Sequence, residues 1–140
     1  MNKAFIYGHH FKYLRSLISN PMMYVMYEYL FDELYEMCRE TNNYAIPFRL
    51  DNKSQIASQT GINRKSVQVI LDNLQSAKLI NIDDDKCQID IPFCLSAMDA
   101  YCRLKNKIDR EIFSESMKAG DVNSLRDMGF SMIEDDWENF

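Results

Sequence analysis

The stretch that most constrains the fold is 53–71, KSQIASQTGINRKSVQVIL. Its first half places Ile56 and Ala57 on one face of a helix, and Gly61 ends that helix because glycine adopts positive φ easily. Asn63 follows and can cap a second helix. The apolar residues of the second helix recur at three- and four-residue spacing and are Val67, Ile70, Leu71 and Leu74. This spacing predicts one apolar stripe, and hence two helices packed across a tight turn.

Short segments with β propensity flank the two helices. Residues 81–82 and 88–91 lie on either side of the turn 83–86, DDDK, and predict a β-hairpin. Residues 44–50, YAIPFRL, predict a further short strand, which Pro47 confines to the edge of the sheet. Asp51 or Asn52 is then placed to cap the first of the two helices.

These features together resemble the winged helix-turn-helix of DNA-binding proteins, over about residues 44–92. The likeness depends on Ala57, which lets the helices cross closely, on Gly61 at the turn, and on Val67 and Ile70 in the second helix. A long helix, then IPFRLDNKSQIA, then TGINRKSV is most similar to the N-terminal domains of phage and plasmid replication-initiation proteins of the replisome-organiser and DnaD type. It is also similar to dimeric bacterial transcription regulators. The resemblance implies sequence-specific binding of double-stranded DNA, in replication initiation or in transcription regulation.

The resemblance also implies which residues touch DNA, since the second helix, expected over 64–78, would enter the major groove with its first turn foremost. Arg64 and Lys65 are expected to reach guanine or phosphate, and Ser66 to bind phosphate. Asn63 and Gln68 are expected to meet adenine edges or phosphate. The start of the first helix is expected to lie over the phosphate backbone. The full set of expected DNA-binding residues is Lys53, Ser54, Gln55, Asn63, Arg64, Lys65, Ser66 and Gln68.

The charge distribution bears on this expectation in two ways. The formal net charge is −5, but residues 1–118 hold 15 Lys and Arg against 15 Asp and Glu, so the excess lies in 119–140. Residues 51–82 hold four cations against two acids, which predicts a modest, salt-sensitive affinity for DNA. The turn 83–86, in contrast, offers three acids and one lysine, whereas a wing that grips DNA usually offers cations. A winged-helix module that binds protein and not DNA is therefore the alternative.

Two further helices are predicted on either side of the motif. Asn20-Pro21 is typical of a helix start, and that helix is expected to run to about residue 40 or 41. Its apolar positions cover so much of its circumference that it needs burial on more than one side. A last helix is expected from a cap at Ser96 to Lys118, with a stripe formed by Met98, Tyr101, Cys102, Lys105, Ile108, Ile112 and Phe113. Both helices are expected to pack in the core or to form a homodimer through 22–40 and 94–118.

The resulting prediction is a mostly helical α+β domain over 1–118, with an N-terminal arm over 1–19. Ala119-Gly120-Asp121 is expected to break the last helix. The remainder, 119–140, is an acidic tail with scattered apolar residues, which are expected to dock on something and not to be disordered. The tail is expected to cover the basic face of its own domain or to bind a protein partner.

Several function classes lack their sequence signals. There is no phosphate-binding glycine loop, no H-E-x-x-H and no G-x-S-x-G, so we expect neither an enzyme nor a bound cofactor. His9 and His10 are adjacent but have no other ligands at metal-binding spacing, so no metal is expected. No apolar run is long enough to span a membrane, and the N-terminus is a poor signal peptide. The cysteines, which form no C-x-x-C, are Cys38, Cys87, Cys94 and Cys102. They are typical of reduced thiols, and we expect a cytoplasmic protein.

Overall fold

The structure is a computed structural model and describes residues 17–18, 20–38 and 46–132. Its helices are α1 (Pro21–Cys38), α2 (Lys53–Thr60), α3 (Arg64–Ser76), α4 (Ile91–Arg103), α5 (Lys107–Ala119) and α6 (Val122–Asp127). Its strands are β1 (Phe48–Arg49), β2 (Ile80–Asp83) and β3 (Lys86–Ile89). The described part is therefore mostly helical with a small sheet, and the predicted α+β class is confirmed.

The sheet is antiparallel, with strand order β1-β3-β2. Phe48 faces Cys87 in the first ladder, and Ile80 faces Ile89 in the second. The expected strand at 44–50 is shorter than predicted, and Tyr44 and Ala45 lie outside the described residues. The strand expected at 88–91 ends at Ile89, so the prediction was wrong for Asp90 and Ile91.

The reason for that early end is a helix cap. Asp90 accepts the backbone N–H of Phe93 at 3.0 Å and so starts α4 directly after β3. Asp90 still donates its N–H to the Leu79 carbonyl, just before the facing strand β2, at 3.0 Å, but the chain turns into α4 at the next residue.

The predicted pair of helices, α2 and α3, is confirmed, and local interactions explain its boundaries. Asn52 caps α2, and Gly61 ends it with φ 76° while its N–H donates to the Ala57 carbonyl at 3.0 Å. Asn63 caps α3. The helix ends at Ser76, two residues earlier than expected, which is within the usual variation of helix boundaries.

The core forms around α1, which contacts α2, α3 and β1. Side chains from both sides of this helix are fully buried, as the wide apolar surface predicted: Met26, Tyr27, Leu30, Phe31 and Leu34. The apolar stripe of α3 is buried in full and consists of Val67, Ile70, Leu71 and Leu74. Two residues of the expected N-terminal arm, Leu17 and Ile18, are also buried, whereas residues 1–16 lie outside the described part.

The expected single helix from Ser96 to Lys118 was wrong, because two helices, α4 and α5, occupy this stretch. Ser96 is buried within α4, and the residue that caps this helix is Asp90. The break has local causes. Asn106 accepts the N–H of Asp109 at 2.7 Å and caps α5, and Arg110 donates from Nε to the Leu104 carbonyl at 3.0 Å.

The break also changes which side chains of this region face the core. The turn between α4 and α5 resets the helical phase, so a stripe drawn through both helices does not stay on one face. Two members of the predicted stripe are not in the core, since Ile108 is 69% exposed and Ile112 is 49% exposed. Phe113, another member of that stripe, is buried in α5 together with Met117.

The first half of the acidic segment packs against the rest of the structure. Gly120 ends α5 with φ 67°, so the expected break is confirmed, and Asp121 then caps α6. Leu125 is fully buried, and the Phe130 ring lies 5.1 Å from the Phe93 ring in α4. Residues 133–140, which carry Trp137 and four of the acids, lie outside the described part.

Candidate nucleic-acid interface

The first turn of α3 is capped and carries two exposed cations. The Asn63 Oδ1 accepts the N–H of Lys65 at 2.9 Å, and the Asn63 carbonyl accepts the N–H of Ser66 at 2.8 Å. Arg64 and Lys65 are exposed, and the turn has no acidic residue. The backbone N–H groups and the positive end of the helix dipole add to these charges. This end of α3 therefore favours an anionic partner.

The start of α2 is held by a reciprocal cap. Asn52 Oδ1 accepts the Gln55 N–H at 2.9 Å, and Gln55 Oε1 accepts the Asn52 N–H at 3.2 Å. Gln55, which was expected to contact DNA, thus also has a structural role in capping α2. Lys53 and Ser54 are exposed in the same turn. Two capped helix starts therefore present Lys53 and Arg64 on the surface.

An open groove of about 830 Å³ lies between these two helix starts and the turn of the β2–β3 hairpin. Four of the expected DNA-binding residues line it, namely Lys53, Gln55, Arg64 and Gln68. The other four are not part of its lining: Ser54, Asn63 and Lys65 are exposed elsewhere on the helix starts, and Ser66 is half-buried. The charged residues of the groove are Arg49, Lys53, Arg64, Asp51, Asp84 and Asp85. Among the described residues of the groove, three cations thus meet three acids.

Arg49 is a groove residue that the sequence pattern did not indicate. Its side chain is 83% exposed, and its Nε lies 3.6 Å from Asp85 Oδ2. The two meet because β1 pairs with β3, and because the Leu50 N–H donates to the Asp85 carbonyl at 2.8 Å. The strand expected over 44–50 already included Arg49. Its pairing with the hairpin, which brings Arg49 to the groove, joins residues far apart in the chain and could not be read from the local sequence.

The hairpin turn brings acids to the rim of this groove. Asp83, Asp84 and Asp85 are exposed, and Asp84 has φ 60°, a conformation that Asp and Asn tolerate better than most residues. The pair with Arg49 offsets part of the charge of Asp85, although an exposed ion pair contributes little, at most about 1 kcal/mol. An anion in the groove would thus be attracted by the helix starts and repelled by the turn.

The exposed face of α3 extends from the capped first turn toward the C-terminal end of the helix. Gln68 donates from Nε2 to Asp72 Oδ1 at 2.8 Å, one helical turn away. Val69 is 58% exposed on this otherwise polar face. Val69 was not among the expected DNA-binding residues, although its spacing already separates it from the buried stripe.

Asp51 is the acid of the groove that takes part in a partly buried hydrogen bond. The Tyr29 hydroxyl donates to Asp51 Oδ2 at 2.5 Å. Burial and this hydrogen bond together raise the pKa of Tyr29 well above its ordinary value. Burial and the nearby Asp51 raise the pKa of Glu33 as well. Asp51 therefore links α1 to the start of α2, because its carboxylate accepts the hydrogen bond from Tyr29.

The buried cysteines have the properties of packing residues. The Tyr27 hydroxyl donates to the Cys94 sulfur at 3.1 Å in the core. Burial raises the pKa of the Cys94 thiol, and it raises the pKa of Cys87 to about 12. Since the thiolate is the nucleophile and the metal ligand, these two thiols are not activated at neutral pH. Cys102 is exposed, and all three are free.

The described residues contain neither a metal-binding cluster nor a membrane-spanning helix. Over 17–18, 20–38 and 46–132, no group of three or more His, Cys, Asp or Glu side chains is placed to hold a metal ion. In the same part of the chain, no helix has the length and apolar character needed to cross a bilayer. His9 and His10 lie outside the described residues.

Comparison with known proteins finds no matching family model, no matching curated protein and no matching solved structure. The features of this chain that bear on its function are therefore its own fold, the groove and α3.

Proposed function

We propose that this chain is a winged helix-turn-helix protein that binds double-stranded DNA with α3 as its recognition helix. The order helix, strand, helix, helix, strand, strand and the sheet order β1-β3-β2 support this assignment, as they agree with the pattern that the sequence suggested. The observation that carries the proposal is the capped first turn of α3, where Arg64 and Lys65 are exposed with no acid beside them.

The dimensions of α3 are compatible with this role. Its 13 residues span roughly 20 Å at 1.5 Å per residue. The major groove of B-DNA is about 12 Å wide and admits an α-helix. In the proposed complex, Arg64 and Lys65 reach phosphate or guanine, Gln68 pairs with adenine, and Lys53 lies over the backbone. Arg49 joins them from the opposite wall of the groove.

The proposed biological role is sequence-specific binding at a replication origin or at an operator. A homodimer would present two copies of α3 to two half-sites. Exposed apolar side chains support a second copy as a partner: Met22, Val25 and Met37 on α1, and Ile108 and Ile112 on α5. Light scattering of the purified chain tests this part, because a monomer at all concentrations would contradict it.

The second candidate is a winged-helix module that binds a protein. The groove favours it in one respect, since its three cations are balanced by Asp51, Asp84 and Asp85. A balanced groove suits a partner with both signs of charge better than it suits a uniform polyanion. The two candidates therefore differ in one measurable property, which is salt-dependent binding to duplex DNA.

The test is the affinity of the full chain for a random-sequence duplex at two salt concentrations. Arg64→Ala with Lys65→Ala is compared with Lys105→Ala with Lys107→Ala, which removes two exposed cations outside the groove. We expect binding that weakens with salt, and a loss of tenfold or more at low salt for the first pair only. The slope of log affinity against log salt should fall by about one to two units.

A chain ending at Met132 separates the effect of the last residues from that of the fold. Residues 133–140 contain four acids, and their removal should strengthen binding if they compete with DNA. A chain ending at Lys118 is unsuitable, because it lacks the buried Leu125 and Phe130. Absence of binding by the full chain and by the shortened chain at low salt would overturn the DNA proposal and favour a protein partner.

A further inference from the structure

Val69 lies at the crest of α3, directly away from the core. At 100° per residue it points about 150° from the middle of the buried stripe. The residues that define that stripe are Val67, Ile70, Leu71 and Leu74. The neighbours of Val69 on the crest are Lys65, one turn before, and Asp72, one turn after, and both are exposed. In a helix that enters a groove, the crest is the part that penetrates deepest.

A valine at this position does nothing for the helix itself. Its β-branch lowers helix propensity relative to the unbranched polar residues around it. It is 58% exposed, so it buries little in the chain. The other exposed residues of α3 are polar or charged. An exposed apolar side chain on this face is available to pack against an apolar group of a bound partner.

We propose that Val69 recognises the 5-methyl group of thymine in the DNA bound by α3, an inference that rests on the proposed DNA binding. Among the base edges of the major groove, the thymine methyl is the apolar group, and apolar side chains pack on it. Other edges offer hydrogen-bond donors and acceptors, to which valine gives nothing. Val69 therefore favours thymine at the base that it faces.

The neighbouring Gln68 makes the same base pair a good target. One N–H of its amide is donated to Asp72. The second N–H and Oε1 remain, and these are the donor and the acceptor that adenine N7 and N6 require. Gln68 and Val69 together favour A·T over G·C where the crest meets the bases.

The experiment removes the methyl group without changing base pairing. Duplexes that the full chain enriches from a random pool are synthesised with each thymine replaced in turn by uracil, and affinities are measured by fluorescence anisotropy. We expect one thymine whose replacement lowers affinity about three- to fivefold, as for the loss of one buried methyl-sized group. Val69→Ala should bind the thymine and uracil duplexes equally. Met132→Ala, at an exposed apolar residue outside the faces of α1 and α5 proposed for the second copy, should keep the preference for thymine.

The outcomes separate this inference from the proposed function. Binding with no uracil-sensitive thymine overturns the role of Val69 and leaves DNA binding intact. A preference for thymine that survives in Val69→Ala assigns the methyl contact to another residue and also overturns the inference. If no duplex is bound at low salt, DNA binding itself fails. Loss of the preference in Val69→Ala but not in Met132→Ala supports the inference.

Discussion

The two ends of α3 differ in what surrounds them. At the N-terminal end, Gly61 has open space around its α-carbon, and Arg64 and Lys65 project from the surface. At the C-terminal end, Leu74 is fully buried, and Gly120 lies against the backbone carbonyl of Ser76. One end of the helix is thus fixed in the core while the other is presented to a partner. Substitutions at the C-terminal end should affect stability, and those at the N-terminal end should affect binding.

The largest effect is expected from Leu74→Ala at the fixed end. Leu74 is fully buried, so its truncation removes apolar contacts and leaves a cavity. The free energy of unfolding should fall by about 2–5 kcal/mol, measured by urea denaturation. Val69→Ala on the exposed face of the same helix is the control and should change it by less than about 0.5 kcal/mol. Similar losses in both variants would contradict the difference between the two faces.

A matched pair of glycines compares the two ends directly. Gly120 and Gly61 both have positive φ, at 67° and 76°, so Ala is strained at each by about 1–2 kcal/mol. At Gly120 the added Cβ would also collide with the Ser76 carbonyl, whereas at Gly61 it meets nothing. Thermal unfolding should therefore show Gly120→Ala as clearly the less stable variant. Equal melting temperatures for the two variants would mean that Gly120, at the end of α5, is not in close contact with the end of α3.

A third comparison uses two asparagine caps. Asn63 caps α3 beside the exposed cations, and Asn106 caps α5 away from the groove. Replacement of either by Ala should lower the free energy of unfolding by about 1 kcal/mol, because each leaves a helix N–H without its acceptor. Only Asn63→Ala should also weaken duplex binding in anisotropy titrations. Equal binding by both variants would remove the first turn of α3 from the interface.

The smallest effect is expected from the acidic turn. Asp85→Asn removes one negative charge from the groove and releases Arg49, so duplex affinity at low salt should rise about two- to fivefold. Asp84→Asn removes the charge alone and should raise it less. Asp127→Asn, an exposed change of the same charge on α6, is the control. Unchanged affinity in both turn variants would place DNA clear of the hairpin.

Local chemistry explains why α2 and α3 were predicted almost to the residue. Asn52 and Asn63 accept N–H groups two or three positions ahead, and Gly61 takes a conformation that other residues resist. Each of these signals acts within one turn of the chain. The same kind of signal was present at Asn106, but an apolar periodicity running across it suggested one continuous helix. The competing cap prevailed, which is why Ile108 and Ile112 face outward.

The groove was predicted only in part. Lys53 and Arg64 were expected in the interface because both stand at helix starts, where an anion is favoured. Arg49 was missed, since it reaches the groove through strand pairing with a hairpin that lies far along the chain. Val69 was not predicted to be part of the interface. Its spacing separates it from the buried stripe, but its 58% exposure depends on how the other elements pack around α3.

The sequence by itself determined the caps, the glycine turns and the inward stripe of α3, because each is decided by residues within a few positions of one another. Only the tertiary structure decided that Arg49 meets Asp85, that Gly120 presses on the end of α3, and that the first half of the acidic segment packs into the core. These contacts join residues far apart in the chain. Their geometry depends on how all the helices and strands pack at once, which no local pattern specifies.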